Sequence, residues 1–196
     1  MEYMKGCKDN QFDLAIVDPP YGIGASEMTM GSGKHKFTKG KRWDSQLPNG
    51  EYFDELFRVS NNQIIWGGNY FSAYLKPTPH WAVWDKLNPN LSFAEGELAW
   101  INKGKNLRIF KHYSAIADTY GGKIHPTSKP VKLYEWLLQN YAKEGQTILD
   151  THLGSGSIAI ACDKMGFDLV GCEIDEDYYN GAMKRLKEHQ SQMRLF

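Results

Sequence analysis

Four residues near the start of the chain, Asp18-Pro19-Pro20-Tyr21, combine side chains that could hold a flat ring bearing an amine. The apolar run 14–17 before them predicts a buried strand, which two consecutive prolines must end in a stiff turn. This group, the cup (residues 18–21), is therefore expected at the carboxyl end of a strand, where open α/β sheets bind ligands. An ordinary exit from a strand into a turn explains the same residues equally well.

A second group of candidate residues lies near the other end of the chain, after a predicted strand at 147–150. The segment Asp150-Thr151-His152-Leu153-Gly154-Ser155-Gly156, the cofactor turn, leads into a predicted helix and a strand that ends at Glu173. Glycines let a ligand approach the backbone, and the N-terminus of the helix offers free N–H groups. A carboxylate at the end of the next strand can accept the hydroxyl protons of a ribose.

Two classes of nucleotide-like ligand fit this turn. Gly154, Gly156 and Ala159 have the spacing of a dinucleotide fingerprint, so the pattern does not exclude NAD. S-Adenosylmethionine (SAM) carries a sulfonium and an ammonium but no phosphate. The carboxylates of Asp18, Asp150 and Glu173 suit those cationic groups better than a pyrophosphate, and they favour SAM.

Length and composition predict one soluble domain over residues 1–196. The sequence has no apolar run of about 18 residues and therefore predicts no membrane-spanning helix. The N-terminus lacks the apolar core of a signal peptide. The 3 cysteines form no paired motif, which argues against a disulfide framework and against a metal site, and favours the cytoplasm.

The net charge of zero hides two basic stretches and an acidic last third. The glycine-rich segment 22–49 is expected to be a flexible basic loop that orders on a polyanion. The second basic stretch is 103–132, and solvated loops explain both stretches as well. The span at about 87–123 is expected to be a small excursion from the domain that recognises the nucleic acid. The basic side chains that we expect to meet phosphates are Lys34, Lys36, Lys39, Lys41, Arg42, Lys105, Arg108 and Lys111.

Hydrophobic periodicity predicts alternating helices and strands, with no assignment for 102–123. The last third is predicted to form a βαβ unit of the Rossmann type, so the predicted fold class is α/β with a doubly wound sheet. In such a sheet the cup and the cofactor turn can end neighbouring strands. The predicted helices are 1–8, 51–59, 70–75, 131–141, 158–165 and 175–189, and the predicted strands are 13–17, 63–66, 80–84, 95–101, 147–150 and 167–172.

With these motifs in place, the chain resembles the DNA amino-methyltransferases in which the catalytic motif precedes the cofactor motif. The cup matches the catalytic motif, and Ile124-His125-Pro126-Thr127-Ser128-Lys129-Pro130 matches a His-Pro-Thr-x-Lys-Pro segment beside the cofactor. The cofactor turn and the segment 171–175 match the SAM loop and the ribose-binding segment. The segment 65–71 resembles a subset found in phages and prophages.

This resemblance implies a Rossmann-like methyltransferase fold with permuted motif order and SAM as its cofactor. It implies methylation of adenine N6 on a base flipped out of double-stranded DNA, with the cup as the catalytic group. Related enzymes often form homodimers, and a separate restriction endonuclease is a possible partner. The residues that the resemblance assigns to the cofactor are Asp18, Thr127, Lys129, Asp150, His152, Leu153, Gly154, Ser155, Gly156, Glu173 and Ile174.

The sequence departs from the family pattern in two places and leaves other functions open. Thr151 and His152 stand where the family commonly has Pro and Phe, and a short strand that often precedes the first helix is missing. Cytosine N4 also presents an exocyclic amine, so the cup alone does not separate the two bases. The remaining alternatives are methylation of an RNA or a protein amide, a dinucleotide oxidoreductase, and a non-catalytic DNA-binding protein with the same fold.

Overall fold

The computed structural model describes residues 1–22, 47–88, 94–113 and 128–193. Most of the predicted basic loop, including Lys34, Lys36, Lys39, Lys41 and Arg42, lies outside these residues, and so does Thr127. The helices are α1 (Glu2–Lys5), α2 (Gly50–Val59), α3 (Val131–Tyr141), α4 (Ser157–Met165) and α5 (Glu176–Met193). The strands are β1 (Phe12–Val17), β2 (Ser60–Trp66), β3 (Trp81–Asp85), β4 (Gly96–Ile101), β5 (Arg108–Lys111), β6 (Thr147–Asp150) and β7 (Asp168–Gly171).

These strands form one sheet in the order β5-β3-β4-β2-β1-β6-β7. Strand β4 runs antiparallel to β2 and β3, and the other neighbouring pairs are parallel. Side chains alternate across β1, so that Leu14 and Ile16 enter one core while Ala15 and Val17 enter the other. Helices α3, α4 and α5 cover the first face, and α1 and α2 cover the second. The predicted doubly wound α/β fold is thus confirmed.

The cup and the cofactor turn follow two neighbouring strands. Strand β1 pairs in parallel with β2 on one side and with β6 on the other, with Leu14 opposite Ile148 and Ala15 opposite Leu149. The strands that follow β1 in sequence, β2 to β5, thus lie on one side of it, and the last two strands, β6 and β7, lie on the other side. Open α/β sheets bind ligands at such a switch point, which lies here between Asp18 and Asp150.

Two predictions of local structure were wrong or incomplete. The segment 70–75 is not a helix: a single turn of 3-10 helix spans Gly68–Tyr70, and turns follow it. Strand β5 was not predicted, because it is short and its side chains alternate between half-buried and exposed. Within the span 87–123, β4 and β5 belong to the central sheet, and the role of this span in recognising DNA stays a prediction.

Among the described residues, no helix is both long and apolar enough to span a membrane.

Candidate active site

Asp18 and Tyr21 form the polar centre of the cup. The Tyr21 hydroxyl donates a hydrogen bond to Asp18 Oδ1 at 2.5 Å. Burial raises the pKa of Tyr21 well above its ordinary value, and the carboxylates of Asp18 and Glu97 raise it further. The hydroxyl therefore stays protonated and acts as a fixed donor to the carboxylate. The prolines between them, Pro19 and Pro20, restrict the backbone that sets this spacing.

The Tyr21 ring lies against the turn that follows β2. Tyr70 stacks on the ring with a centroid separation of 5.0 Å and an interplanar angle of 14°. Gly67 adopts a left-handed conformation with φ of 68°, and a Cβ there would lie 2.2 Å from Tyr21 Cε1. A side chain at this position is excluded by both the backbone and the ring, so Gly67 makes room for Tyr21.

A buried lysine forms the base of the cup. The Lys129 ammonium, whose side chain is 3% exposed, contacts Asp18 Oδ2 and lies 3.1 Å from Glu97 Oε2. Glu97 Oε1 in turn pairs with Lys86 Nζ at 2.7 Å. Burial opposes the charge on Lys129, but Asp18 and Glu97 outweigh it and raise the Lys129 pKa. Lys129 thus reaches the site through Asp18, and its predicted contact with the cofactor stays a prediction.

The cofactor turn is held largely by its own backbone and by Glu173. Glu173 Oε2 accepts the Gly154 N–H at 2.8 Å, and Oε1 accepts the Asp175 N–H at 2.9 Å. Leu153 N–H donates to the Cys172 carbonyl at 2.8 Å. These bonds tie the turn to the end of β7 and fix the direction of the Glu173 carboxylate.

Asp150 is buried at the carboxyl end of β6, where its Oδ1 accepts the His152 N–H at 2.9 Å. Burial raises the pKa of Asp150 to about 7, and the carboxylates of Asp18 and Glu173 add to the rise. Three carboxylates thus influence one another at the switch point. A positively charged ligand would relieve that repulsion, whereas an anion would increase it.

The departure at Thr151 and His152 is accommodated by Tyr52 of α2. Its hydroxyl lies 2.7 Å from Thr151 Oγ1, which in turn lies 2.9 Å from His152 Nδ1. The Tyr52 and His152 rings meet edge to face with centroids 5.5 Å apart. Burial lowers the pKa of His152 to about 4, so the imidazole is neutral at pH 7. A neutral aromatic ring therefore remains at the position where the family commonly has Phe.

Helix α5 supports the end of the cofactor turn. Gly156 is left-handed with φ of 71°, and a Cβ there would lie 2.8 Å from the Cβ of Ala182. The buried Arg185 guanidinium donates to the Ser155 carbonyl. Ser155 Oγ lies 3.1 Å from Ser157 Oγ. The turn and α5 are thus packed too closely for a larger residue at position 156.

The remaining predicted residues are more dispersed. Lys105 Nζ and Arg108 Nη1 both donate to Asn140 Oδ1 on α3, at 3.1 Å and 2.9 Å. Lys111 is exposed on β5. The Ile174 side chain is 97% exposed, beside Glu173. Phosphate contacts from the three basic residues and a cofactor contact from Ile174 stay predictions.

Sequence reasoning missed Glu97, Lys86, Tyr52 and Arg185. Glu97 and Lys86 come from strands whose charged residues look like ordinary surface positions in the sequence. Glu97 precedes the apolar pair Leu98-Ala99, and this neighbourhood was the one sign in the sequence that its side chain is partly buried. Tyr52 and Arg185 lie on amphipathic helices, where their spacing did not separate them from core and surface residues.

Comparison with known proteins places these features in one family. A family model described as DNA methylase matches residues 66–184, which is more than half of the chain. The Type II methyltransferase M.HpaI of Haemophilus parainfluenzae is 23% identical over 227 residues, covering 93% of this chain and 70% of that protein.

Two solved structures share the fold. The complex of M1.HpyAVI with SAM has a TM-score of 0.63 and 19% identity, covering 94% of this chain and 91% of that one. The PvuII DNA methyltransferase, described as cytosine-N4-specific, has a TM-score of 0.62 and 11% identity, covering 93% and 82%. Since the family match runs from the end of β2 into α5, the chain belongs to the DNA methylase family and is a DNA methyltransferase of the N6-adenine or N4-cytosine type.

Proposed function

We propose that this protein transfers a methyl group from SAM to N6 of an adenine flipped out of double-stranded DNA. The observation that carries the proposal is the parallel pairing of β1 with β6, which sets the Asp18–Tyr21 pair beside the Asp150 turn. One strand end offers acceptors for an amine, and its neighbour offers a glycine turn with carboxylates for a cationic nucleoside.

The chemistry of the donor set fits SAM. Asp150 is a buried carboxylate with a raised pKa, and an ammonium or sulfonium nearby would favour its charged form. Each Glu173 oxygen accepts one backbone N–H and keeps a lone pair for a ribose hydroxyl. The close packing of Gly156 on Ala182 leaves the turn without a side chain at that point. When bound, SAM supplies a methyl group already activated by the positive sulfur.

The cup would then hold and activate the base. Asp18 accepts one N–H of the exocyclic amine, and the Pro19 carbonyl accepts the other. These two bonds hold the nitrogen nearer to tetrahedral geometry and free the lone pair that the ring otherwise delocalises. With SAM held by the cofactor turn and Glu173, the nitrogen would take the methyl carbon as the carbon–sulfur bond broke, and the surplus proton of the amine would leave towards Asp18. Catalysis by the protein is thus positioning and electrostatics.

Entry of the base requires a movement of the DNA and, on one face of Tyr21, a movement of the protein. A base inside a duplex cannot reach such a cup and has to leave the stack, at a cost of a few kcal/mol. Tyr70 already covers one face of Tyr21, so a base that stacks on that face has to displace Tyr70. Phosphate contacts from Lys34, Lys36 and the neighbouring basic residues would offset part of the cost.

Cytosine N4 methylation is the second candidate. The fold shared with the cytosine-N4-specific PvuII enzyme favours it, and both bases present the same kind of amine. The Asp form of the motif resembles the adenine-specific members, whereas a Ser form leans to cytosine. We therefore choose adenine over cytosine because the motif begins with Asp18.

The test is to incubate the protein with methyl-labelled SAM and unmethylated double-stranded DNA, and then to separate the nucleosides. We expect the label in N6-methyladenine. Label in N4-methylcytosine would instead support cytosine N4 methylation. Absence of both label and SAM binding would overturn the proposal that the protein is a SAM-dependent methyltransferase of DNA.

We also propose that the enzyme works in the cytoplasm. All three cysteines are free thiols, which is consistent with a reducing cytoplasm. A homodimer and a separately encoded restriction endonuclease remain proposed partners. Size-exclusion chromatography with light scattering would decide the first of these.

A further inference from the structure

Four charged side chains form a continuous line beneath the cup. The order is Lys86, Glu97, Lys129 and Asp18, with alternating sign and contacts at each step. They come from the end of β3, from β4, from the segment before α3 and from the end of β1. The line therefore joins the antiparallel half of the sheet to the cup along the edge of the sheet at which β1 and β3 end and β4 begins.

Lys129 is the buried link in this line. Its side chain is 3% exposed, and its ammonium lies between two carboxylates and 5.1 Å from the centroid of the Trp66 ring. A buried ammonium with two carboxylate partners is balanced by Lys86 behind Glu97, so the four groups sum to zero charge. Removing one member of such a buried set leaves its partner uncompensated, which is costly.

The two oxygens of Asp18 are fixed by different neighbours. Tyr21 donates to Oδ1, and Lys129 contacts Oδ2. A carboxylate rotates easily about its terminal torsion, and these two bonds hold it in one plane. Each oxygen retains a lone pair, so the carboxylate can still accept an amine proton. The direction in which Asp18 presents that lone pair depends on where Lys129 stands.

The position of Lys129 depends in turn on Glu97. Glu97 Oε2 lies 3.1 Å from the ammonium, an ion pair without the alignment of a hydrogen bond, and this oxygen is buried with no other acceptor role. Without this charge, Asp18 would be the one carboxylate left in an ion pair with Lys129 among the described residues. The ammonium would then be free to follow Asp18 or to turn away.

We propose that Glu97 is a positioning residue of the methyl-transfer site, which acts through Lys129 to orient the Asp18 carboxylate toward the base amine. The inference rests on the proposed function, because it assigns Asp18 to the amine. Glu97 itself does not touch the base or the cofactor in this account. Lys86 holds the outer oxygen of Glu97 and completes the line.

A double-mutant cycle with Glu97→Gln and Lys129→Met tests the inference, with the exposed Glu95→Gln as the matched control. We expect Glu97→Gln to lower kcat about 10-fold, with less than a twofold change in KM for SAM, as for loss of a supporting charge. Because Glu97 acts through Lys129, the double variant should match Lys129→Met alone within about twofold. Glu95→Gln should match the wild type. The inference would be overturned if the falls in kcat of the two single variants multiplied in the double variant, or if Glu97→Gln were fully active.

A second measurement does not depend on activity and does not require a folded Lys129→Met. Heteronuclear NMR of the lysine ammonium groups should give a slowly exchanging Lys129 signal in the wild-type protein. Glu97→Gln should shift this signal or broaden it beyond detection, and Glu95→Gln should leave it in place. A signal that is unchanged in Glu97→Gln would overturn the inference. A wild-type protein that shows this ammonium behaviour but no methyl transfer would instead contradict the proposed function.

Discussion

The cup and the cofactor turn lie on neighbouring strands but are built in opposite ways. The cup depends on charges drawn from distant parts of the chain, with Lys129 between Asp18 and Glu97. The cofactor turn depends mainly on backbone hydrogen bonds within a short segment, with the Glu173 carboxylate and the Arg185 guanidinium as the charges that anchor it. A site that must activate an amine needs fixed charges, whereas a turn that surrounds a nucleoside needs exposed backbone.

This contrast predicts that charge changes will damage the two halves differently. A substitution in the cup should impair the chemical step and leave cofactor binding almost unchanged. A substitution in the turn should impair cofactor binding, and neutral changes around it should affect stability alone.

The largest effect is expected for Asp18→Asn. The amide keeps the shape of the carboxylate but loses the charge and one of its acceptor oxygens. We expect methyl transfer to fall by about 10²–10³-fold or more, as for loss of a group aimed at developing charge. Single-turnover assays with saturating SAM and DNA measure this step. Activity close to that of the wild type would show that another group holds the amine.

The second effect is expected for Glu173→Gln, in which a charged acceptor becomes a neutral amide. Hydrogen bonds to charged groups contribute about 1.5–3 kcal/mol, so the Kd for SAM should rise roughly 10- to 100-fold. Isothermal titration calorimetry gives this Kd directly. Glu176→Gln, the first residue of α5, is a matched control and should bind as the wild type does. Equal binding by Glu173→Gln would remove the ribose role of Glu173.

Asp150 gives a prediction in pH. Its pKa is raised to about 7 in the folded protein, so the folded state holds this proton more tightly than the unfolded chain does. The stability linked to that proton is fully present below the unfolded value and is lost as the pH rises through about 7. Asp150→Asn should therefore raise the unfolding temperature of the SAM-free protein at pH 8 by roughly 5 °C, with the gain disappearing near pH 4.

Differential scanning fluorimetry across that pH range measures the effect. A constant difference at every pH would mean that Asp150 is not the titrating group. A lower unfolding temperature for Asp150→Asn at pH 8 would contradict the raised pKa of Asp150.

The smallest effect is expected for Tyr52→Phe. It removes the hydrogen bond to Thr151 but keeps the ring that packs on His152. A net loss of about 1 kcal/mol is typical, or roughly 2–4 °C in unfolding temperature for a chain of this size. Thermal unfolding and kcat measured together check it. A large fall in kcat would mean that the turn also needs precise polar support.

The same contrast explains which parts of the site could be predicted from the sequence. The cofactor turn is local, so strand, glycines, helix and Glu173 appear in order within about 25 residues of sequence. The cup was found because Asp18 and Tyr21 are three residues apart. Lys129 was assigned to the cofactor by the family resemblance, and its contact with Asp18 was not predicted because the two residues are 111 positions apart and sequence spacing carries no sign of such a contact.

Local patterns failed where tertiary packing decides the backbone. The segment 70–75 has helical spacing, yet Gly67 starts a tight turn because the Tyr21 ring occupies the space beside it. Strand β5 lies at the edge of the sheet and pairs with β3 alone, so its sequence has neither a full apolar run nor a buried face. Both features depend on neighbours that are distant in the chain.

The cup and the cofactor turn are expected to be separable halves of one site. Calorimetry of SAM binding to Asp18→Asn, beside the wild-type protein, tests this separation. We expect a Kd for SAM within about threefold of the wild-type value, in a variant that no longer transfers the methyl group. Loss of SAM binding in a folded Asp18→Asn protein would contradict this separation and would support the cofactor role that the family resemblance also assigns to Asp18.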